Sequence, residues 1–446
     1  MTIDHDRAEA APSKGGRAGA RVSGGRQAWL ITGFLTLLLV INYVDKIVTN
    51  IAGPDIIADL GLTKSEFGVV QSSFFWLYAV GGILGGWLMA RIRPTRLLFG
   101  VVVVWAFSLL PLAWPVGFAT LVGCRILLGL AEGPTTALTM HIAHTWFPPE
   151  KRALPSSVLI AGTSIGPVIG APTLTWIVTA YDWHTAFAVL AVVGFVVAVL
   201  WLLVGREGPE SPVKAHGAAT TSIELPERAP LLKVFGTGTM IGLTTLILSA
   251  YAAVAVKVTW LKLYLQDGLG YTSQAAGNLV ALPYLGSAIA LVSVGFVSAA
   301  LTRRGVSSRL ARGVLGASLV LGSGLAMLAF APLEAGAPHM ALLILSACLN
   351  SAGLGIVFAA ISDVAPPGQR GIVLAIVSAV FSLGGVITPL VLGRVVDAAA
   401  TPADGYTTSF VIVAVTMVIG AIVALLTVNP ERDARKLAAL RTEPTA

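Results

Sequence analysis

Residues 28–51 read Ala28-Trp-Leu-Ile-Thr-Gly-Phe-Leu-Thr-Leu-Leu-Leu-Val-Ile-Asn-Tyr-Val-Asp-Lys-Ile-Val-Thr-Asn-Ile51. The run is longer than the about 20 residues that a membrane-crossing helix needs. It carries no charge until Asp45 and Lys46, which stand side by side well inside it. Three more ionisable residues, Arg125, Glu132 and Lys257, sit inside other apolar runs of spanning length. A charge at that depth costs roughly 2.5–3.5 kcal/mol on insertion scales, so such a residue is expected to face a polar cavity and to act there.

Composition agrees with a chain built for lipid. Of 446 residues, 56% are apolar and 11% charged, against about 25% charged in soluble proteins. The formal net charge is +7. In a polytopic protein that excess belongs to cytoplasmic loops, which argues against nucleic acid as a partner, even for the basic segment with Arg7, Lys14, Arg17, Arg21 and Arg26. Cys124 and Cys348 both fall in apolar runs and read as packed thiols without a disulfide framework. The hydrophilic lead before the first apolar run does not fit a cleaved signal peptide.

Twelve spans are expected, at 28–51, 66–90, 97–114, 118–142, 154–178, 184–204, 236–262, 273–299, 309–331, 339–360, 371–396 and 406–428. The domain plan that follows is a disordered tail over 1–27, a six-helix unit over 28–204, a linker over 205–235, a second six-helix unit over 236–428 and a tail over 429–446. The fold class is all-α and polytopic, with two pseudo-symmetric bundles. Basic residues crowd the loops after spans two (Arg91, Arg93, Arg96), four (Lys151, Arg152) and eight (Arg303, Arg304, Arg309, Arg312), and the linker adds Arg206, Lys214, Arg228 and Lys233. Loops on the other side hold little beyond Lys64 and Lys262. Both termini are therefore expected in the cytoplasm. The halves echo each other, since Gly86-Trp-Leu-Met-Ala-Arg91 ends span two and Gly295-Phe-Val-Ser-Ala299 precedes Arg303-Arg304-Gly305. Duplicated transporters place their site between the repeats near the midplane.

Several stretches in order then resemble one family. They are Asn42-Tyr-Val-Asp-Lys-Ile47; Arg125-Ile-Leu-Leu-Gly-Leu-Ala-Glu132-Gly-Pro134 with Trp146-Phe-Pro148 and Lys151-Arg152; Thr259-Trp260 with Tyr264-Leu265; and Ser362-Asp363-Val-Ala-Pro366 with Thr388-Pro389. Together, over residues 28–430, they resemble the anion:cation symporter branch of the major facilitator superfamily, which includes bacterial galactonate and hexuronate permeases and sialin. The resemblance implies two rocking bundles and proton-coupled uptake of organic anions across the bacterial inner membrane. It also implies functional roles for Asp45, Lys46, Arg125 and Glu132. This chain departs from the pattern in places. Lys46 stands where relatives carry Arg. Gly82, Ile160, Thr163 and Ser382 stand where sugar-acid permeases carry amides, and Phe75 where relatives often have Gly. Fewer amides imply a less hydroxylated cargo, aromatic or short aliphatic. Ala90 and Ala299 replace the acidic residue of the cytoplasmic gating signature, so the outward-open state must be held otherwise.

Arg125 and Glu132 are seven residues apart and so share a helix face about 10 Å apart along the axis. They are too distant for an i,i+4 pair, which suggests two functions at two depths. Arg125, Asp45 and Lys257 lie at similar depth on three helices, and that layer is the expected substrate site. Arginine suits the anchoring role because its fork accepts a carboxylate bidentately and stays charged. A structural Asp45–Arg125 ion pair is the alternative. Burial favours a neutral carboxyl and a nearby cation favours the ionised one, so Glu132, with Asp45, is the expected proton carrier. Lys46 and Lys257 either face the cavity, which would suit a divalent acid, or snorkel to the headgroups. Tyr78, Phe75, Thr163, Ser164 and Ser382 complete the expected binding set. His141 and His144 read as interfacial, Trp29, Trp114 and Trp183 as belt residues, and Gly81, Gly82, Gly85 and Gly86 as packing positions.

The expected function is import of a small organic anion by proton symport, by a monomer with no cofactor or metal. An exporter or exchanger on the same fold is the alternative. A membrane-embedded enzyme is disfavoured because no HExxH, G-x-S-x-G or P-loop spacing occurs.

Overall fold

The computed structural model describes residues 25–148, 151–209, 229–366 and 369–442. Most of the expected 1–27 tail and the central part of the 205–235 linker, with Lys214 and Arg228, lie outside the described residues. Twelve helices are long and apolar enough to cross a membrane. They are α1 (Gly25–Ile51), α2 (Lys64–Met89), α3 (Pro94–Ala113), α4 (Phe118–His144), α5 (Leu154–Ala180), α6 (Trp183–Val204), α7 (Gly238–Thr259), α8 (Ser273–Arg303), α9 (Arg309–Phe330), α10 (Ala337–Val364), α11 (Ile372–Ala398) and α12 (Pro402–Thr427). Among the described residues there are no strands. The protein is an all-α, multi-pass membrane protein of two six-helix bundles, α1–α6 and α7–α12.

Three spans are interrupted near the level of the buried charges, which is how helices re-aim side chains there. α2 breaks at Leu77, between segments Lys64–Trp76 and Tyr78–Met89. α4 breaks at Gly133 and Pro134, directly after Glu132, because proline removes an amide and crowds the preceding turn. α7 ends at Thr259 rather than at 262. Trp260, a short turn Leu261–Leu263 and a π-helical turn Tyr264–Gly268 follow. The chain after α12 is not a plain tail: Pro430–Thr442 is helical, and Asp433 accepts bonds from the Thr239 backbone N–H (2.8 Å) and hydroxyl (2.7 Å) at the start of α7.

Glycines bring helices into backbone contact where small residues permit it. α2 and α4 interlock reciprocally. A Cβ on Gly129 or Gly133 would lie 1.8 Å from the Phe74 carbonyl oxygen or 2.1 Å from that of Tyr78, and one on Gly81 would lie 2.0 Å from the Leu130 oxygen. Gly85 meets Pro134 in the same seam, whereas Gly86 has open space around it. Gly162, Gly166 and Gly170 of α5 likewise seat on Thr36, Val40 and Val44 of α1.

Call the end bearing the described chain termini and the arginine-rich loops the basic end, and its opposite the far end. The bonds that join the bundles among the described residues gather toward the far end. The α2 N-terminus, closed by a Thr63–Glu66 capping box, donates its Lys64 and Ser65 amides to Asp397 of α11 at 2.9 and 2.7 Å, an anion at the positive end of a helix. Lys64 pairs with Asp267. Gln71 donates to the Thr259 carbonyl (2.7 Å) and Ser72 to that of Val386 (2.7 Å). Lys262 Nζ donates to the Ile51 carbonyl (2.5 Å), and its backbone N–H donates to Asn50 Oδ1 (3.2 Å). Toward the basic end the same α2–α11 seam parts into cavities. The bundles are fastened together at the far end and separated by cavities between α2 and α11 on the basic-end side of that seam.

Trp183 departs from its expected place in a headgroup belt. It is 3% exposed, lies over His184 and donates to Asp59 at 3.1 Å, because the far end of the first bundle folds over it. Trp29 and Trp114 are exposed as expected.

Candidate functional site

The charges of the first bundle meet between α1 and α4. Lys46 Nζ lies 3.6 Å from Glu132 Oε2, with Lys46 8% exposed and Glu132 buried. The ammonium sits over the rings of Tyr43 (4.2 Å) and Tyr78 (5.3 Å), faces that attract a cation, and Tyr251 of α7 is within its electrostatic reach. Lys46 therefore turns inward rather than snorkelling. At 3.6 Å the contact with Glu132 is an ion pair without a hydrogen bond. No hydrogen bond of ordinary geometry reaches either oxygen of Asp45 or Glu132, although Trp105 stands beside Asp45, and Asn42, with Lys46, beside Glu132.

Asp45 points away from the cavity, toward α3 and Glu132. Arg125 is 1% exposed and stacks its guanidinium 4.7 Å from the Phe74 ring centre, within electrostatic reach of Glu132. No ion pair joins Asp45 to Arg125 among the described residues. Lys257 belongs to the other bundle. It donates to Ser287 (3.2 Å), lies 4.6 Å from the Tyr284 ring centre and borders a small cavity of about 40 Å3 with Ser346 and Asn350. The expected single layer of Arg125, Asp45 and Lys257 is thus divided. Two lysines, one per bundle, each lie against tyrosine, and the guanidinium is packed against Phe74.

Tyr78 and Ser382 line one cavity of about 230 Å3 between α2, α4 and α11. Phe75, one turn before Tyr78 on α2, does not line it and packs instead with Tyr251 edge-on at 6.3 Å and Gly385 of α11 against its ring. Thr163 bonds its own helix at the Ile160 carbonyl (2.6 Å), and Ser164 is half-buried beside it; neither is joined to the second bundle by a hydrogen bond among the described residues. Of the four packing glycines, Gly82 lines the cavity instead. His144 bonds Ser156 at 2.7 Å at the basic end.

Sequence reasoning missed the aromatic wall formed by Tyr43, Tyr251, Phe358 and Phe381. Tyr43 was within reach, since it precedes Lys46 by three residues and shares its helix face. Tyr251 and Phe381, with ring centres 4.5 Å apart, come from helices whose mutual rotation no periodicity reveals. Lys262, Asp397 and Gln71 of the far seam were missed for the same reason.

The sequence profile of the Major Facilitator Superfamily matches residues 35–359 and 306–445. The chain is 31% identical over 375 residues to a hexuronate transporter of Bacillus subtilis, covering 82% of this chain and 88% of that one. It is 25% identical over 428 residues to a D-galactonate transporter of Escherichia coli, covering 91% and 96%. Among solved structures it resembles a bacterial homologue of the human lysosomal transporter Spinster in an inward-facing, unoccupied conformation (TM-score 0.73, 18% identity, 94% of this chain and 100% of that one). It also resembles a D-xylose–proton symporter (TM-score 0.72, 18% identity, 91% and 99%).

Proposed function

The chain belongs to the major facilitator superfamily, and on that premise we propose that it carries a small organic carboxylate together with protons, exposing one central site to each side of the membrane in turn. One observation carries the reading: the buried ion pair of Lys46 with Glu132 at 3.6 Å, beside a cavity between the bundles. An ammonium held opposite a carboxylate has a competitor built in. A proton on Glu132 removes that competitor and leaves Lys46 to accept the carboxylate of the cargo. When the cargo leaves, the ammonium returns to Glu132 and the proton departs. Proton and anion then raise each other's affinity by the same factor, as linkage requires.

Arg125 is assigned the role of holding the local potential positive when Lys46 is occupied, and Asp45 that of a second proton carrier behind Glu132. The names of the relatives, hexuronate and D-galactonate transporters, support an organic acid as cargo. Basic loops mark the cytoplasmic side of membrane proteins, so the basic end is assigned to the cytoplasm of a bacterial cell. Closed at the far end, the protein then stands as it would after delivering its cargo inward.

The test is the proton taken up on binding. The purified full-length protein is screened by thermal shift against glucuronate, glutarate and phenylacetate, where stabilisation follows RT ln(1 + [L]/Kd). Calorimetry of the acid that binds is then repeated in buffers of different ionisation enthalpy. Wild type should take up about one proton per anion near neutral pH, Glu132→Gln none, and Lys46→Met should lose binding. Proton uptake undiminished in Glu132→Gln would remove that residue from the coupling.

A further inference from the structure

The walls of the cavity limit what the acid can look like. It holds about 230 Å3 and is lined by Tyr78, Gly82, Gly133, Ala375, Phe381 and Ser382, among others. Two rings line it, Tyr78 and Phe381, and Phe381 is backed by Tyr251 at 4.5 Å and Phe358 at 6.0 Å, with Phe75 at 6.3 Å from Tyr251. Three hydroxyls line it, those of Tyr78, Ser378 and Ser382, and among the described residues no side-chain amide, carboxylate or ammonium group does. Ser382 donates to the Ser378 carbonyl one turn earlier at 2.8 Å, and Thr163 to that of Ile160. Lys46 supplies positive charge at the Tyr78 end, 5.3 Å from that ring centre.

Toward lipid the space continues. A second cavity of about 480 Å3, walled by Ile372, Ile376, Val380 and Leu383, shares Ile83, Ala375 and Ala379 with the first. The pair makes one slot running out between α2 and α11 from Tyr78, the residue against which Lys46 lies.

From this geometry we infer that the cargo is a monocarboxylate on a flat, hydroxyl-poor body, with its carboxylate on Lys46 and a ring lying over Gly82 between Tyr78 and Phe381. This rests on the anion reading above and narrows it. Size agrees, because a 150 Å3 apolar cavity accepts benzene, and about 230 Å3 therefore accommodates a ring with a short acid-bearing arm. Chemistry agrees as well. A sugar acid would bring more hydroxyls than the three on these otherwise apolar walls can pair, and each buried group left unpaired weakens binding. An aromatic ring finds offset and edge-on partners there. Lys257, the cation a dicarboxylate would need at its other end, is engaged with Ser287 and borders a separate cavity with Ser346 and Asn350, whereas Lys46 lies against Tyr78 of this one.

The experiment compares affinities of purified protein for phenylacetate, glucuronate, glutarate and acetate, in wild type, Lys46→Met and Gly82→Leu. A Cβ at Gly82 meets nothing closer than the Gly133 oxygen at 3.5 Å, so the backbone accepts the change while the rest of the leucine enters the slot. Phenylacetate should bind at least about tenfold tighter than glucuronate or glutarate. Gly82→Leu should weaken phenylacetate at least about tenfold and more than it weakens acetate. Tighter glucuronate or glutarate binding that still needs Lys46 overturns this inference and leaves the anion reading standing. Failure of every acid to bind, or binding indifferent to Lys46→Met, overturns the anion reading and this inference with it.

Discussion

Lys262 closes the far seam with a buried ammonium, and its titration gives a quantitative handle on the closure. The residue lies beyond the end of α7, fully buried, with Nζ on the Ile51 carbonyl. Burial lowers its pKa from 10.5 to about 8, against the opposing pull of Asp55. When the seam opens and the lysine is hydrated, its pKa returns to about 10.4. The closed state thus binds fewer protons than the open one between pH 8 and 10.5. Below pH 8 both states hold the proton, and the charged lysine costs the closed state about 3 kcal/mol, since each tenfold change in proton affinity is worth about 1.4 kcal/mol. Raising the pH through 8 relieves that cost, so closure is favoured at higher pH. From pH 7 to 9 the change is about 1.3 kcal/mol, close to tenfold in the closed-to-open ratio. Spin labels at Ala58 and Gln274, exposed far-end positions on the two bundles, with Cys124 and Cys348 replaced, report the populations by electron–electron distance. Lys262→Met should remove the pH dependence and hold the seam closed at pH 7. Equal populations at pH 7 and 9 in wild type, or an unchanged slope in Lys262→Met, would refute the reasoning.

Two further outcomes concern packing. Gly129→Ala places a methyl 1.8 Å from the Phe74 oxygen, so it should lower Tm by the equivalent of about 1–3 kcal/mol or more; Gly86→Ala, in open space, should match or exceed wild type in the same melting experiment. Asp433→Ala should release the C-terminal helix at a cost of about 1–3 kcal/mol, read as faster tryptic cleavage at Arg435 and Lys436. Burial works against the Asp433 carboxylate, but the bonds from Arg432 and Thr239 outweigh it and hold the pKa below the usual 3.8. The docking therefore persists at neutral pH and fades only as acid takes the medium below that value, and wild type should become equally cleavable there, with an acid-active protease as the probe.

The twelve spans were legible because apolar length is a property of each segment alone. Breaks were partly legible: Pro134 announces the one in α4, whereas nothing at Leu77 or Trp260 does. For the charged residues the sequence conveys depth along a helix but not rotation about its axis. Asp45 and Lys46 are neighbours in the chain, so they diverge by about 100°. One turns to Trp105 and the other to Tyr78. The same gap made Arg125, Asp45 and Lys257 look like a layer, when packing sends Arg125 behind Phe74 and Lys257 among Ser287 and Tyr284. Trp183 misled because a tryptophan at a span end has the composition of an interfacial anchor, and only the fold of the far end shows it covered.

At the far seam nearly every cross-bundle bond has a main-chain group as one partner: the amides of Lys64 and Ser65, and the carbonyls of Ile51, Thr259 and Val386. Peptide groups hydrate readily, so each bond lost on parting is exchanged for one to solvent, at a net difference of about 0.5–1.5 kcal/mol for the neutral pairs and about 1.5–3 kcal/mol where Asp397 or Lys262 is the partner. Such a fastening resembles a zip rather than a rivet. It aligns the two edges and releases them tooth by tooth, leaving the direction of travel to whatever occupies the middle.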